Sequence, residues 1–198
     1  MSATMKGFTL ADYLAREQQD GQRYEYYRGE LFAMVGGTPV HSLIASNFCG
    51  EARERLKDKP CVVYNSDLRI KCDSAGLYTY PDASIVCGEL ELDLELANTV
   101  LNPTVIVEVL SDSTEKYDRG RKSMMFRAIK SLKELVLISQ DSPSVECFLR
   151  QPGDSWRFSH YTELSQSLPL ESLSFSIPLT ELYRNVVFPS VTKLPPLH

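Results

Sequence analysis

The sequence predicts a mixed α/β (α+β) domain with a central mixed β-sheet, helices on its flanks and extra β-hairpins. Helical and strand-like hydrophobic patterns alternate along the chain, most densely as helix, three strands, helix and strand between residues 40 and 138. A chain of 198 residues can bury a continuous core without help from a metal or a disulfide. We therefore predict a single domain over residues 1–188, followed by a Pro-rich C-terminal tail over residues 189–198.

Three elements are predicted before residue 60. Thr9 is placed to cap a short first helix, and Arg28-Gly29 is a turn between two strand-like runs. The third element has apolar residues at helical spacing, which is typical of a long amphipathic helix. The predicted ranges are a helix over 8–14, a hairpin of strands over 24–27 and 30–35, and a helix over 40–56.

The remaining elements include the most apolar strands of the chain. Residues 104–110 are rich in β-branched side chains, as in a sheet that is buried on both faces. Pro81 indicates an irregular or edge position just before Asp82. The predictions are strands over 62–70, 78–86 and 104–110, an acidic exposed loop over 89–98, a helix over 117–129, a strand over 135–138, a hairpin over 145–161, a strand over 173–177 and a helix over 179–183.

Charge and cysteine usage exclude some classes of protein. The formal net charge of −5 argues against a protein that coats nucleic acid non-specifically. Five scattered cysteines without a C-x-x-C pair predict reduced thiols in a cytoplasmic protein, rather than a disulfide framework or a zinc site. The N-terminus lacks a signal-peptide pattern, and no apolar stretch is long enough to span a membrane. The cysteines are Cys49, Cys61, Cys72, Cys87 and Cys147.

Two acids stand out by their strand context. Asp82 follows a proline within a predicted strand, and Glu108 interrupts a run of Val, Ile and Leu. A carboxylate in such a strand costs free energy unless it is paired or binds a cation. Either acid alone could equally lie at a solvated sheet end, but two acids on neighbouring strands favour an oxygen-rich pocket. Such a pocket suits Mg²⁺ or Mn²⁺.

Lys122 is the third candidate. Phe126 and Ile129 follow it at helical spacings of four and seven, so Lys122 shares the stripe that should face the sheet. A lysine at this position more often extends along the core surface toward solvent. Here, however, the helix directly follows the Glu108 strand, which should bring its first turn near the acids. Lys116 and Arg119 are alternatives on the same segment.

Several motifs together resemble a known family. The chain is similar to the Uma2 (Uma-two) restriction-endonuclease family of the PD-(D/E)XK nuclease superfamily, over roughly residues 8–185. The motifs that support the resemblance are Tyr27-Arg28-Gly29-Glu30-Leu31, His41, Ser66-Asp67-Leu68-Arg69, Tyr80-Pro81-Asp82, Asn102-Pro103, Val107-Glu108-Val109-Leu110-Ser111, Ser113-Thr114 and Tyr117-Asp118-Arg119-Gly120-Arg121-Lys122.

The resemblance implies a restriction-endonuclease-like core and assigns roles to three residues. Asp82 matches the first metal-binding acid, and Glu108 matches the acid of the (D/E)XK half-motif. The superfamily places a lysine two residues after that acid, where this chain has Leu110. The matching lysine of this family lies on the following helix, at Lys122. Glu30, Asp67, His41 and Tyr80 are possible supporting residues of the same site.

The resemblance implies metal-assisted hydrolysis of DNA by a homodimer acting on a duplex. A second hypothesis is a degenerate nuclease fold that binds DNA or a protein partner without cutting. A third is a structural module that dimerises through its terminal hairpin and Tyr-rich segment. Metal binding by Asp82 and Glu108 would distinguish the first hypothesis from the other two.

Overall fold

The computed structural model describes residues 5–34, 36–112 and 114–188, and its architecture confirms the predicted mixed α/β fold. The predicted tail over 189–198 lies outside the described residues, so the boundary at residue 188 stays a prediction. The helical segments are α1 (Leu10–Asp20), α2 (Pro39–Leu56), α3 (Glu115–Tyr117), a π-helical turn (Asp118–Lys122), α4 (Ser123–Arg127) and α5 (Leu179–Leu182). The strands are β1 (Met5–Lys6), β2 (Tyr24–Tyr27), β3 (Glu30–Ala33), β4 (Cys61–Asn65), β5 (Arg69–Cys72), β6 (Leu77–Thr79), β7 (Ala83–Cys87), β8 (Thr99–Val100), β9 (Val105–Leu110), β10 (Glu134–Ser139), β11 (Val145–Arg150), β12 (Trp156–Tyr161), β13 (Ser167–Leu170) and β14 (Phe175–Pro178).

The strands form two six-stranded sheets and a two-stranded ribbon. The central sheet has the order β12-β11-β10-β9-β7-β4, with β9 and β10 parallel and the other pairs antiparallel. The second sheet has the order β1-β3-β2-β6-β5-β8, and β13 pairs with β14. Every residue of β9 and β10 is buried. The apolar composition of these two strands follows from their position at the centre of a sheet that is covered on both faces.

A threonine caps each of the two long helices, and Thr9 was predicted to do so. Thr9 Oγ1 accepts a hydrogen bond from the Asp12 N–H, and the Asp12 carboxylate accepts one from the Thr9 N–H, a capping box. The helix continues beyond the predicted end to Asp20 and stops at Gly21, whose φ of 66° favours glycine. Thr38 caps α2. The buried face of α2 packs on one side of the central sheet through Ile44, Phe48, Ala52 and Leu56.

Two predicted strands are each divided between the sheets, so these two predictions were wrong. The first, over 62–70, turns after Asn65, where the Asn65 side chain accepts a hydrogen bond from the Asp67 N–H. The second, over 78–86, breaks at Pro81, which has no N–H to continue a ladder. β4 and β7 thus belong to the central sheet, and β5 and β6 belong to the second sheet.

The acidic loop over 89–98 is only partly exposed, contrary to the prediction. Asp93 is buried, and its carboxylate lies 2.6 Å from Lys71 Nζ. Leu96 is buried among the aromatic residues between α1 and the second sheet. The strand β13 was also missed: it is only four residues long and contains Pro169, a residue that argues against a strand in a sequence. It pairs with β14 beside the predicted hairpin of β11 and β12.

Cys61 and Cys87 form a disulfide, which corrects the prediction that all five cysteines are free thiols. They stand directly opposite each other on the antiparallel strands β4 and β7. Sequence spacing alone could not place the two residues in register. The other three cysteines are free and buried. The cysteines therefore no longer support the predicted cytoplasmic location, which stays a prediction. Among the described helices, none combines the length and apolar character required to cross a bilayer.

Candidate functional site

Asp82 and Glu108 meet in the interior of the central sheet, at the point where strand β7 begins beside β9. The antiparallel register of β7 and β9 pairs Ala83 with Val107, so the next step of the ladder brings Asp82 opposite Glu108. Asp82 is held there because its Oδ2 accepts a 2.7 Å hydrogen bond from the Val109 N–H. The two acids thus lie side by side although 26 positions, 82 to 108, separate them in the sequence.

Lys122 approaches Glu108 from the helical segment that follows β9. Its Nζ lies 2.7 Å from Glu108 Oε1, and the side chains are only 6% and 7% exposed. Side chains alternate along a strand, and the neighbours Ile106 and Leu110 belong to the core on the helix-facing side of the sheet. Leu110, at the position where the superfamily has its lysine, is therefore part of this apolar core. A lysine on the helix reaches the same face of the sheet from a different backbone position.

A π-helical turn over Asp118–Lys122 lies within the helical segment, where the sequence predicted a regular α-helix. The Ser123 N–H donates to the Asp118 carbonyl five residues back. Hydrophobic periodicity does not resolve one such turn, so this part of the prediction was wrong. Both Asp118 and Lys122 are buried within the turn. Isolated π-turns are frequent at functional sites of proteins.

Two further acids, neither of them predicted from the sequence as part of the site, lie close to Lys122. Glu25 Oε2 lies 3.5 Å and Asp118 Oδ1 lies 3.7 Å from Lys122 Nζ. Both acids are buried. A recognisable signal existed in each case. Glu25 is an acid inside a strand of aromatic residues, and Asp118 precedes Lys122 by one helical turn.

Glu25 is fixed by two hydroxyl groups. Thr79 Oγ1 donates a 2.8 Å hydrogen bond to Glu25 Oε2, and the Tyr117 hydroxyl donates to Oε1. These partners belong to β6 and α3, so the carboxylate joins the second sheet to the helical segment. A buried carboxylate with this many donors keeps a defined position.

Lys122 and the three acids around it, Glu25, Glu108 and Asp118, form an acid cluster. The pKa values of Glu108, Asp118 and Lys122 are all raised in it. Burial raises the pKa of Glu108 well above its usual value, and the charges of Asp82 and Asp118 act the same way, against the opposing effect of Lys122. Burial also raises the pKa of Asp118. Burial alone would lower the pKa of Lys122, but the carboxylates of Glu108, Glu25 and Asp118 outweigh it and raise that pKa. Lys122 is therefore a firmly charged ammonium.

His41, one of the supporting residues that the resemblance implied, lies beside Asp82. Its Nε2 is 3.1 Å from Asp82 Oδ2, and both side chains are mostly buried. Burial lowers the pKa of His41, but the hydrogen bond to Asp82 and the charge of Asp82 raise it further, so the net pKa is above the ordinary value. His41 and Lys122 thus each contact one of the two predicted metal acids, His41 at Asp82 and Lys122 at Glu108.

The other candidates lie away from this cluster. Glu30 pairs with the exposed Lys6 at 3.0 Å, and Asp67 pairs with Arg23 at 2.7 Å in the turn after β4. The Tyr80 hydroxyl accepts hydrogen bonds from Arg69 and donates to Glu17. These three residues therefore have structural partners, and in the described part of the chain their side chains form no hydrogen bond or ion pair with Asp82, Glu108 or Lys122.

The alternatives to Lys122 do not reach Glu108 either. Arg119 is bound to Glu115 at 2.8 Å and to Glu146. Lys116 is exposed on the outer side of the segment. Of the three basic residues considered on this helix, only Lys122 is buried against the acids.

Comparison with known proteins identifies the family. Residues 10–180 match the sequence model of Uma2, described as "Putative restriction endonuclease". The chain belongs to the Uma2 family. It is 30% identical over 187 residues to the uncharacterised protein slr1290 of Synechocystis sp. strain PCC 6803, covering 94% of this chain and 97% of the relative. A second Synechocystis protein, sll1609, is 30% identical over 154 residues, covering 78% and 87% of the two chains.

A solved structure supports the nuclease-like fold. The crystal structure of a "putative nuclease belonging to DUF820" from Anabaena variabilis superposes with a TM-score of 0.71. The match covers 89% of this chain and 98% of the other at 18% sequence identity. The predicted fold and family are therefore both confirmed.

Proposed function

We propose that this Uma2 protein is a divalent-metal-dependent endonuclease that hydrolyses phosphodiester bonds in DNA. In this proposal Asp82 and Glu108 hold Mg²⁺ or Mn²⁺, and Lys122 acts on the phosphate. The supporting observation is the convergence of these three side chains, with Lys122 Nζ 2.7 Å from Glu108 Oε1 although the lysine is not at the usual motif position. Membership of a family described as restriction endonucleases supports a nucleic acid as substrate.

The two carboxylates fit a hard divalent cation. Oε1 of Glu108 is buried and accepts no hydrogen bond of regular geometry from the described residues, although the Lys122 ammonium is close to it. This oxygen can therefore bind a divalent cation in place of the Lys122 ammonium, which keeps Glu25 and Asp118 as neighbouring carboxylates. The described residues contain no group of three or more His, Cys, Asp or Glu arranged around a metal position. Mg²⁺ commonly uses one or two carboxylates and completes its coordination with water and substrate phosphate.

Each residue then has a defined task. A divalent cation held by Asp82 and Glu108 would supply Lewis acidity and lower the pKa of a bound water. Lys122, displaced from Glu108, would donate hydrogen bonds to a phosphate oxygen and stabilise the charge that develops there. Glu25 and Asp118 keep this ammonium charged and close by. His41 would give up its contact with Asp82.

The experiment is cleavage of supercoiled and linear DNA, and of RNA, by purified protein with Mg²⁺ or Mn²⁺. The test variants are Asp82→Asn, Glu108→Gln and Lys122→Met, and the matched controls are Asp67→Asn and Glu30→Gln. We expect cleavage that falls at least about 100-fold in the three test variants and is retained in the controls. Equal cleavage by all six proteins would reject the site.

The second hypothesis, a degenerate nuclease fold, makes a different prediction. If all variants and the wild type fail to cut while the wild type still binds DNA, the protein is a binding module. Leu110 at the usual lysine position is the observation that favours this outcome. If the wild type binds Mn²⁺ and Glu108→Gln does not, the result would instead favour the nuclease hypothesis.

We also propose a homodimer, since two sites related by a two-fold axis can cut both strands of a duplex. Multi-angle light scattering at micromolar concentration, with and without duplex DNA, tests it. A monomer in both conditions would overturn the dimer without affecting the proposed site.

A further inference from the structure

We infer that Arg28, Tyr27 and Arg121 form a subsite that binds neighbouring backbone phosphates of the nucleic-acid substrate beside the candidate nuclease site. The inference rests on the proposed function and extends it to the substrate's path. The guanidinium carbon of Arg121 lies 4.2 Å, and that of Arg28 lies 5.5 Å, from the centre of the Tyr27 ring. Two cationic groups are thus gathered on one aromatic ring.

The subsite adjoins the acid cluster because both join β2 to the helical segment. Glu25 and Tyr27 are two residues apart on β2, so they share one face at a separation of about 7 Å. Glu25 contacts Lys122, and Tyr27 contacts Arg121, which is the residue before Lys122 in the sequence. A nucleic-acid strand that places one phosphate at Lys122 therefore has its neighbouring phosphates within reach of Arg121 and Arg28.

Arg28 and Arg121 differ from the nearby Arg119 in their charge partners. Among the described residues, no carboxylate forms an ion pair with Arg28 or with Arg121, whereas the nearby Arg119 has two such partners. Both side chains are exposed. A pair of unpaired guanidinium groups in a protein of net charge −5 is a local positive feature that attracts phosphate.

Arg28 holds its position at a conformational cost. It is the first central residue of the turn between β2 and β3, with a φ of 47°, and Gly29 follows with a φ of 88°. Two-residue hairpin turns with positive φ at both positions favour Asn-Gly, so an arginine is an unfavourable choice for the backbone. Its Nε donates to the Ala75 carbonyl at 3.0 Å, which leaves both terminal nitrogens available for a ligand. We attribute the arginine to its side-chain function.

The test is fluorescence anisotropy of labelled single-stranded and duplex DNA, measured in EDTA so that cleavage does not intervene. The test protein is Arg28→Gln/Arg121→Gln. The matched control is Arg157→Gln/Arg184→Gln, which removes the same charge from two exposed arginines paired with Glu171 and Glu181. We expect the test protein to raise Kd about ten-fold and to reduce the slope of log K against log salt by about 2. The control should change neither quantity appreciably.

A single variant separates phosphate binding from a structural role. Arg28→Asn supplies the residue that the turn prefers, so its thermal midpoint should not fall, while DNA binding should weaken. A fall in the midpoint without a change in binding would overturn the inference, as would equal binding by the test and control proteins. If the wild type binds no nucleic acid in EDTA and none with Ca²⁺ in place of Mg²⁺, the proposed function itself fails, and that result is distinguishable from the others.

Discussion

The ammonium of Lys122 lies 2.7 Å from the carboxylate of Glu108, and both groups are almost completely buried. The lysine also lies within 4 Å of Glu25 and Asp118. One cation therefore serves three carboxylates inside the protein. This arrangement has consequences for stability, for metal binding and for the chemistry of the site.

Removing Lys122 should destabilise the fold strongly. Lys122→Met leaves three buried acids without their common cation, and we expect the free energy of unfolding to fall by about 3–5 kcal/mol. Lys122→Met/Glu108→Gln should recover about 1–2 kcal/mol of this loss, because one stranded charge is removed. Urea titration measures both values. Lys6→Met, which breaks only the exposed pair with Glu30, is the control and should cost less than about 1 kcal/mol. A double variant that is no more stable than Lys122→Met would contradict the ion pair between Lys122 and Glu108.

Glu25 should support metal binding although its carboxylate is not one of the two proposed ligands. A cation at Glu108 displaces the lysine, and the displaced ammonium can be held by Glu25, whose Oε2 lies 3.5 Å from Lys122 Nζ. Glu25→Gln should therefore weaken Mn²⁺ binding about ten-fold, as measured by calorimetry on folded protein. Glu30→Gln changes an acid on the neighbouring strand and should leave the affinity unchanged. Unchanged binding in Glu25→Gln would remove Glu25 from the site.

The disulfide should stabilise the edge of the central sheet and protect its two cysteines. Cys61→Ser/Cys87→Ser opens a crosslink that spans 26 residues, and we expect a loss of about 3 kcal/mol in the free energy of unfolding. The remaining cysteines are buried, and burial raises the pKa of Cys147 to about 12. Native protein should therefore take up no thiol reagent, and mild reduction should expose two reactive thiols. Rapid labelling of Cys61 and Cys87 before reduction would show that they do not form a disulfide.

Asp93 should stabilise the fold at neutral pH and lose this effect in acid. Burial works to raise its pKa, but the hydrogen bond from Lys71 and the N–H groups of Glu95 and Leu96 outweigh burial and lower it below 3.8. A carboxyl group whose pKa is lower when folded stabilises the protein above its unfolded pKa and loses this effect as pH falls through the folded pKa. The stability difference between wild type and Asp93→Asn should therefore be constant above about pH 5 and shrink toward pH 3. Thermal melts at several pH values measure it, with exposed Asp58→Asn as the control. A difference that grows with acidity would contradict the assignment.

The sequence by itself determined most elements of this protein and its three principal candidates. Hairpin residues, caps and periodicity are local properties, so they located α1, α2, β9 and the helical segment with Lys122. An acid in an apolar strand is also a local feature, which is why Asp82 and Glu108 were recognised.

The tertiary structure alone decided which strands became neighbours and which distant side chains met. Local preferences do not state the partner of a strand, so the division of two predicted strands between the sheets and the register of Cys61 with Cys87 were not predictable. Glu25 joined the site because β2 packs beside the helical segment, far from it in sequence. Asp118 entered it through a π-turn that periodicity does not resolve. The physical reason is common to these cases, because sheet pairing and helix packing are set by the burial of the whole core and not by neighbouring residues.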